Sequence, residues 1–115
     1  MLPRKNRITK KDDYDAIYRY GKVFFSEWLT LKAKRNNSED TRVGIVVGFK
    51  FSKKAVERNN MKRQLREIFR KKLDEMEKGF DLVIIAGKKR EKETVNIKKT
   101  QEITDKLLKK AKIIK

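Results

Sequence analysis

Six polar side chains recur at helical intervals in the middle of this chain: Arg58, Asn59, Lys62, Arg63, Arg66 and Arg70. At about 100° per residue they fill an arc of about 140° on one helix. Such an array suits ribose-phosphate. A planar guanidinium can bond two phosphate oxygens at once, and Asn59 beside the arginines can bond phosphate, a 2′-hydroxyl or a base edge. Met61, Leu65, Ile68 and Phe69 fill the neighbouring arc, and Val56 and Leu73 extend the series. The segment therefore reads as a folded helix with one oily side rather than a charged tail. Lys50–Lys72 holds ten Lys or Arg and two Glu, so this stretch carries roughly half of the excess charge. A solvated helix face normally mixes signs at i, i+4, whereas five like charges here repel at a few tenths of a kcal/mol per adjacent pair. A polyanion would relieve that repulsion. Lys50 and Lys54, just upstream, join the candidate contacts. Arg58 and Lys62 lie at the border of the two arcs. Either the first turn projects past the core edge and keeps Arg58 wet, or Arg58 is partly buried and structural.

The same inventory argues against bond-breaking by the chain itself. There is no His and no Cys, so the usual proton shuttle, thiolate nucleophile and thiolate metal site are absent. A nuclease would then need carboxylates holding metal. Asp12, Asp13, Asp15, Glu57, Glu67, Asp74, Glu75 and Glu77 are instead scattered at helix starts or beside basic residues, where helix dipoles and local pairing account for them.

The elements that must position these side chains fit one domain of 115 residues. Charged residues make up 43% and apolar residues 37%, so the core is expected to be small. The net charge of +17 points to life beside a large anion: nucleic acid, an acidic protein or an anionic membrane surface. No apolar run is long enough to span a bilayer, and Met1–Lys10 lacks a signal-peptide pattern. Cytoplasmic location follows by default. No protein oligomer is predicted.

Residues 1–8 are expected to form a flexible, extended arm. Thr9 and Asp12 open a helix over Lys10–Tyr20, with Gly21 as its stop. Val23–Arg35 reads as strand, with a possible break near Ser26 and Glu27; Leu29, Leu31 and Ala33 face one way, Thr30, Lys32 and Lys34 the other. After a turn at Asn36–Asp40, a strand over Arg42–Phe49 contains Gly44 and Gly48, which suggest close backbone approach or a bulge. The basic helix spans Lys53–Met76, a buried strand Phe80–Ala86, a charged loop Gly87–Glu93 and a last helix Val95–Ile113. Lys88–Lys92 and Lys109–Lys115 receive no role. The predicted class is α+β, a mixed sheet with helices packed on one side.

Tyr14 and Tyr18 stand one helical turn apart. They could pack inward with Ile17, or offer stacking faces to unpaired bases. Trp28 fits core, cleft rim or an exposed strand start equally well.

AVERNNMKRQLREIFR, residues 55–70, resembles the signature of the bacterial ribonuclease P protein subunit through Ala55, Val56, Arg58, Asn59, Lys62, Arg63, Arg66 and Glu67. Further matches run outward in order over residues 7–87: Arg7, Tyr14, Ile17, Tyr18, Gly21, Lys22, Phe24, Ser26 and Leu29, then Arg42–Ile45 and Asp81–Ile84. Two departures stand out: Asn60 replaces a basic residue of the signature, and Phe51 follows Lys50 with Lys53 near an expected Gly. The resemblance implies a fold like ribosomal protein S5 domain 2, in the order α-β-β-β-α-β-α, with a left-handed strand–helix–strand crossover against the general rule. It implies an enzyme in which a large RNA cleaves the 5′ leader from precursor tRNA, with Mg2+ held mainly by that RNA. The protein's implied partners are the catalytic RNA and the precursor tRNA, with no membrane. Lys50, Lys54, Arg58, Asn59, Lys62, Arg63, Arg66 and Arg70 would then meet the RNA subunit. Arg7, Tyr14 and Tyr18, with Lys32 and Lys34 on the cleft floor, would meet the leader. Metal ligands on the protein stay unknown, and no catalytic residue is assigned. The competing readings are a ribosomal or other general RNA-binding protein, a DNA-binding helix module and a membrane-surface protein.

Overall fold

The computed structural model describes residues 2–89 and 95–115. Its elements are α1 (Lys11–Tyr20), β1 (Lys22–Ser26), β2 (Leu29–Arg35), β3 (Arg42–Val47), α2 (Ala55–Lys72), β4 (Phe80–Ala86) and α3 (Ile97–Lys110). The order α-β-β-β-α-β-α is the one expected. The long strand predicted from Val23 does break near Ser26, into a β1–β2 hairpin whose turn holds Glu27 at φ 51°. The basic helix is shorter than Lys53–Met76, because Leu73–Glu75 tighten into a 3₁₀ turn. The loop predicted over Gly87–Glu93 lies partly outside the described residues.

The sheet order is β1-β2-β4-β3. β1, β2 and β4 pair antiparallel, while β3 and β4 are parallel neighbours joined through α2. The alternation in β2 gives each sheet face its character. Leu29, Leu31 and Ala33 align with Ala86, Ile84 and Leu82 of β4, and all six are buried. With Val43 and Val47 they form the main core under α2 and α3, which Met61, Leu65, Phe69, Ile103, Leu107 and Leu108 complete. Trp28 is in this core at 2% exposure, so neither cleft rim nor exposed strand start describes it. Phe51, one of the two departures from the signature, is also buried there.

Contrary to expectation, the helices are not all on one side: the opposite face is covered in part by α1, whose Ile17 has its own apolar surface to bury there. Ile17 is fully buried on Val83 with Ile8, in a small second core flanked by Tyr14, Val46 and Ile85. A chain of charge fixes the angle of α1. Arg42 donates Nε and Nη2 to the Asp81 carboxylate at 2.8 and 2.7 Å, and Nη1 to Asp13 of α1 at 3.2 Å. Asn36 donates to the same Asp81. These bonds hold the Arg42 guanidinium above its ordinary pKa, with the hydrogen bond to Asp81 the largest cause. At the other end of α1 a Cβ on Gly21 would lie 2.5 Å from the Ile17 carbonyl oxygen in the helix's own last turn and 3.3 Å from the Ala33 carbonyl oxygen of β2. Gly21 has φ −74°, so it stops the helix through lack of room, not through left-handed backbone.

Residues 2–8 of the expected arm are instead part of the fold. Leu2 is buried in the main core and Ile8 in the second. Asn6 donates to the Thr41 carbonyl, and Arg7 bridges in parallel to Val43. β3 is an edge strand, and this segment satisfies part of its free backbone. Composition alone favoured an arm, because the residues that dock it lie more than thirty positions away.

Candidate nucleic-acid interface

α2 turns Met61, Leu65, Ile68 and Phe69 inward, and this fixes what its other side presents. Asn59, Arg63, Arg66 and Arg70 are exposed; Lys62 and Arg58 are half-buried. Val56, grouped with the apolar stripe in the sequence, is 80% exposed. The first turn projects beyond the sheet edge, where no core is available to receive it. Arg58 combines both readings offered for it. Its guanidinium lies 4.7 Å from the Phe49 ring centre and donates to the Ser52 carbonyl at 3.1 Å, which clamps the β3–α2 connection. Among the described residues no carboxylate pairs with it, nor with Lys62, Arg63 or Arg66. Arg70 differs, since both its Nε and Nη2 donate to Glu67. That contact lowers the Glu67 pKa and raises that of Arg70. Lys50 and Lys54 are exposed in the connection ahead of the helix.

The second surface is the half of the sheet that α1 leaves open. Paired residues on neighbouring strands share a face, so Phe25, Thr30, Ile85 and Val46 form one row across all four strands. At about 4.8 Å per strand the row spans about 14 Å. Phe25 is 66% exposed. Tyr14 and Tyr18 wall the row from α1, with ring centres 6.3 Å apart. They are not equivalent. Tyr14 is half-buried on the second core and its hydroxyl donates to the Ile8 carbonyl at 3.3 Å. Tyr18 is 40% exposed and carries the Lys32 ammonium 4.9 Å from its ring centre. Burial is the larger cause raising both phenol pKa values; a smaller one is the coulombic interaction with Tyr18 for Tyr14 and with Asp15 for Tyr18. Both stay neutral hydroxyls well past neutrality.

Gly44 makes this arrangement possible. A Cβ there would fall 2.6–2.8 Å from the Tyr14 ring and hydroxyl, so the close approach suspected at Gly44 is real. At Gly48 a Cβ would meet nothing within 4 Å, and the same suspicion has no support.

The two surfaces meet. A pocket of about 200 Å³ at the β3 edge is lined by Arg7, Tyr14 and Gly44 on one side and by Lys62 and Arg66 of α2 on the other. Among the described residues the Arg7 Nε, buried there, has no hydrogen-bond partner. Arg7, Tyr14, Tyr18 and Lys32 thus stand along one path, as grouped in the sequence. Lys34 leaves that group: its Nζ donates to the Arg35 carbonyl, and it lines a separate groove at the end of the sheet. The sequence reading also missed Phe25 and Val23, both exposed on the open face. The run Val23-Phe24-Phe25 held the signal, because an edge strand apolar on both faces has something to meet on each.

For metal the described residues offer little. Among them no three His, Cys, Asp or Glu side chains converge, and the facing carboxylates of Asp13 and Asp81 are bridged by Arg42. No helix of the described residues is long and apolar enough to cross a membrane.

These features define a class: a small α+β protein with a cationic helix face and an aromatic-walled groove that join at one pocket. Comparison with known proteins gives the family. The ribonuclease P family model matches residues 2–112. The chain is 42% identical over 85 residues to the ribonuclease P protein component of a Pseudanabaena species, covering 73% of each chain. It is 41% identical over 86 residues to that of Thermotoga petrophila, covering 75% of this chain and 73% of the relative. The solved RNase P protein of Staphylococcus aureus superposes with a TM-score of 0.83 at 27% identity, over 96% of this chain and 98% of that one. The Thermotoga maritima protein gives 0.77 at 36% identity, over 90% and 96%. The chain belongs to the ribonuclease P protein family.

Proposed function

We propose that this chain is the protein subunit of a ribonucleoprotein endonuclease that removes the 5′ leader of precursor tRNA, and that its two surfaces divide the RNA between them. The face of α2 grips the structured catalytic RNA through backbone and shape, as suits an A-form helix whose deep groove side chains cannot read. The groove between α1 and the sheet takes the single-stranded leader, with Tyr18 and Lys32 against its bases and phosphates. Magnesium is held mainly by the RNA, and the protein supplies no reacting group. One observation carries this reading most strongly. The β3-edge pocket sets Arg7 and Tyr14 within one cavity with Lys62 and Arg66, so a strand leaving the RNA bound on α2 enters the groove directly.

Cations at the junction draw phosphates in by counterion release. Stacking on Tyr18 tolerates any base, since every base has a π face. Product without a leader forfeits the groove contacts, and weaker product binding favours turnover. Reconstitution tests the reading. The chain is mixed with a bacterial catalytic RNA and precursor tRNA at low magnesium and near-physiological salt. Accurate 5′ cleavage that requires both components is expected. No stimulation at any ratio would leave general RNA binding, and equal affinity for leaderless and leader-bearing tRNA would remove the groove's role.

A further inference from the structure

At the opposite end of the sheet from α2's first turn lies a groove of about 700 Å³. It opens between the C-terminal ends of α1 and α3 and the outer edge of β1. Lys22, Lys34, Arg35, Lys78, Lys110 and Lys112 line it, against one acid, Glu77. Among the described residues none of the six cations forms an ion pair. Folding here concentrates like charge without compensating it, which makes the groove a basin for an anion.

Three details describe the occupant. First, the groove is not merely cationic. Tyr20 is 69% exposed on its wall, and Phe80 lies under the Arg35 guanidinium at 4.7 Å. Cations alternating with aromatic faces suit unpaired nucleotides better than duplex. Secondly, α1 points at it. Tyr14 stands at Gly44 of β3, Tyr18 at Lys32 of β2, and Tyr20 in this groove. Six residues of helix cover about 9 Å, so α1 itself leads from the α2 junction to the mouth of this groove. Tyr20, about 200° round the helix from Tyr18, faces away from the first two rings and also borders Asp15 and Arg19. Thirdly, Lys112 follows the end of α3 with φ +59°. That position favours Gly, which bears no steric penalty there, yet the chain places a lysine in it. Local strain held at a cation is a reason to ask what the cation meets.

We propose that this groove is a second single-strand subsite that holds the leader's phosphodiester upstream of the nucleotides lying against Tyr14 and Tyr18. The inference rests on the function proposed above and extends it from the cleavage-proximal leader to its distal part. Short leaders end in the first groove. Long leaders continue past Tyr20 and gain the Lys22 and Lys112 contacts.

The test uses holoenzyme reconstituted with either the parent chain or the double variant Lys22→Ala, Lys112→Gly. Binding is measured for leaderless tRNA and for precursors with leaders of about 3 and about 16 nucleotides, which bracket the usual span of a single-strand site. The variant should bind the long-leader precursor about tenfold more weakly, with the dependence of log affinity on log salt flattened by about 1.4 for two lost phosphate contacts. It should bind the short-leader precursor as the parent does. Lys112→Gly alone should unfold at no lower temperature than the parent, which separates a lost contact from a damaged fold. Equal binding of long leaders by parent and variant overturns the subsite. So does an equal loss for every RNA including leaderless tRNA, which would assign the groove to the RNA subunit. If the parent itself fails to prefer leader-bearing RNA, the broader functional reading fails, and the leader is excluded as occupant with it.

Discussion

The α2 face and the α1 groove recognise, on this reading, two states of one polymer, and they are built from opposite materials. α2 presents charge on a rigid rod whose inward side is fully committed to the core, and the described face has no aromatic residue except Phe49 beneath Arg58. The groove presents rings and aliphatic floor with few charges, on a sheet face half-covered by one short helix. A rod of arginines meets phosphates wherever a folded RNA displays them. Exposed rings reward only bases free to leave their stack. Under the proposed function the contrast separates affinity from discrimination within a small fold: one region would bind RNA, and the other would ask whether a single strand is attached.

The sharpest way to break that separation is through Arg42. Removing Asp81 leaves a half-buried guanidinium without its bidentate partner. Loss of a buried partner costs about 3–5 kcal/mol, and the Arg42 side chain is 29% exposed, so about 2–3 kcal/mol is expected for Asp81→Ala by urea unfolding. Because the bonds tie α1 to the sheet, leader preference should fall along with stability while α2's affinity for the RNA subunit holds. Parallel loss of both would mean that the two regions do not act separately.

Next in size is the direct comparison of the surfaces. Lys62→Ala with Arg66→Ala should weaken binding to the RNA subunit and flatten its salt slope by about 1.8, with leader preference altered less. Tyr14→Ala with Tyr18→Ala should do the reverse, losing about 1–3 kcal/mol of preference per base stacked and sparing the salt slope. The raised phenol pKa values add a pH condition. Neutral rings are favoured in the fold, so leader preference should stay level through pH 9. Any stability contributed by the neutral phenols is present below their ordinary value near 10 and is lost as pH rises through the raised one. A decline in leader preference between pH 7 and 9 would remove the tyrosines from the account.

Gly44 offers a subtler break. Gly44→Ala forces the half-buried Tyr14 ring aside, and overpacking of this kind costs about 1–3 kcal/mol. Tyr18 has other support from Lys32, so the expected phenotype is a partial loss of leader preference with RNA-subunit affinity intact. Retention of full preference would show that Tyr14 serves the second core alone.

These residues also show how far the sequence could be read. Leu29, Leu31 and Ala33 declared their face by alternation, and Met61, Leu65, Ile68 and Phe69 by helical period, because local geometry alone decides both. Val56 obeyed the same period and is exposed, because the helix outruns the sheet that would bury it. Leu2 and Ile8 belong to the core only because the β3 edge lies open to residues 2–8. Lys34 alternates with Lys32 in β2 yet serves a different groove, because α1 ends between them. Each failure is a matter of where a second element stops, which no local pattern encodes.

The smallest predicted effect tests the helix face from within. Arg70 belongs by spacing to the cationic array, but Glu67 holds it at Nε and Nη2. Both side chains are at the surface, where such a pair adds little to stability, so the contact matters mainly by occupying the donors that a phosphate would use. Glu67 is also within reach of Lys71 at 3.9 Å, so one carboxylate mutes two cations at the C-terminal end of α2. Glu67→Gln keeps the side chain's shape and removes the charge. If RNA reaches this far along the helix, the variant should bind the RNA subunit slightly more tightly, with its salt slope steeper by up to about 0.9 for one phosphate gained at Arg70. An unchanged slope would end the RNA-binding face at Arg66 and leave Arg70 as the partner of Glu67.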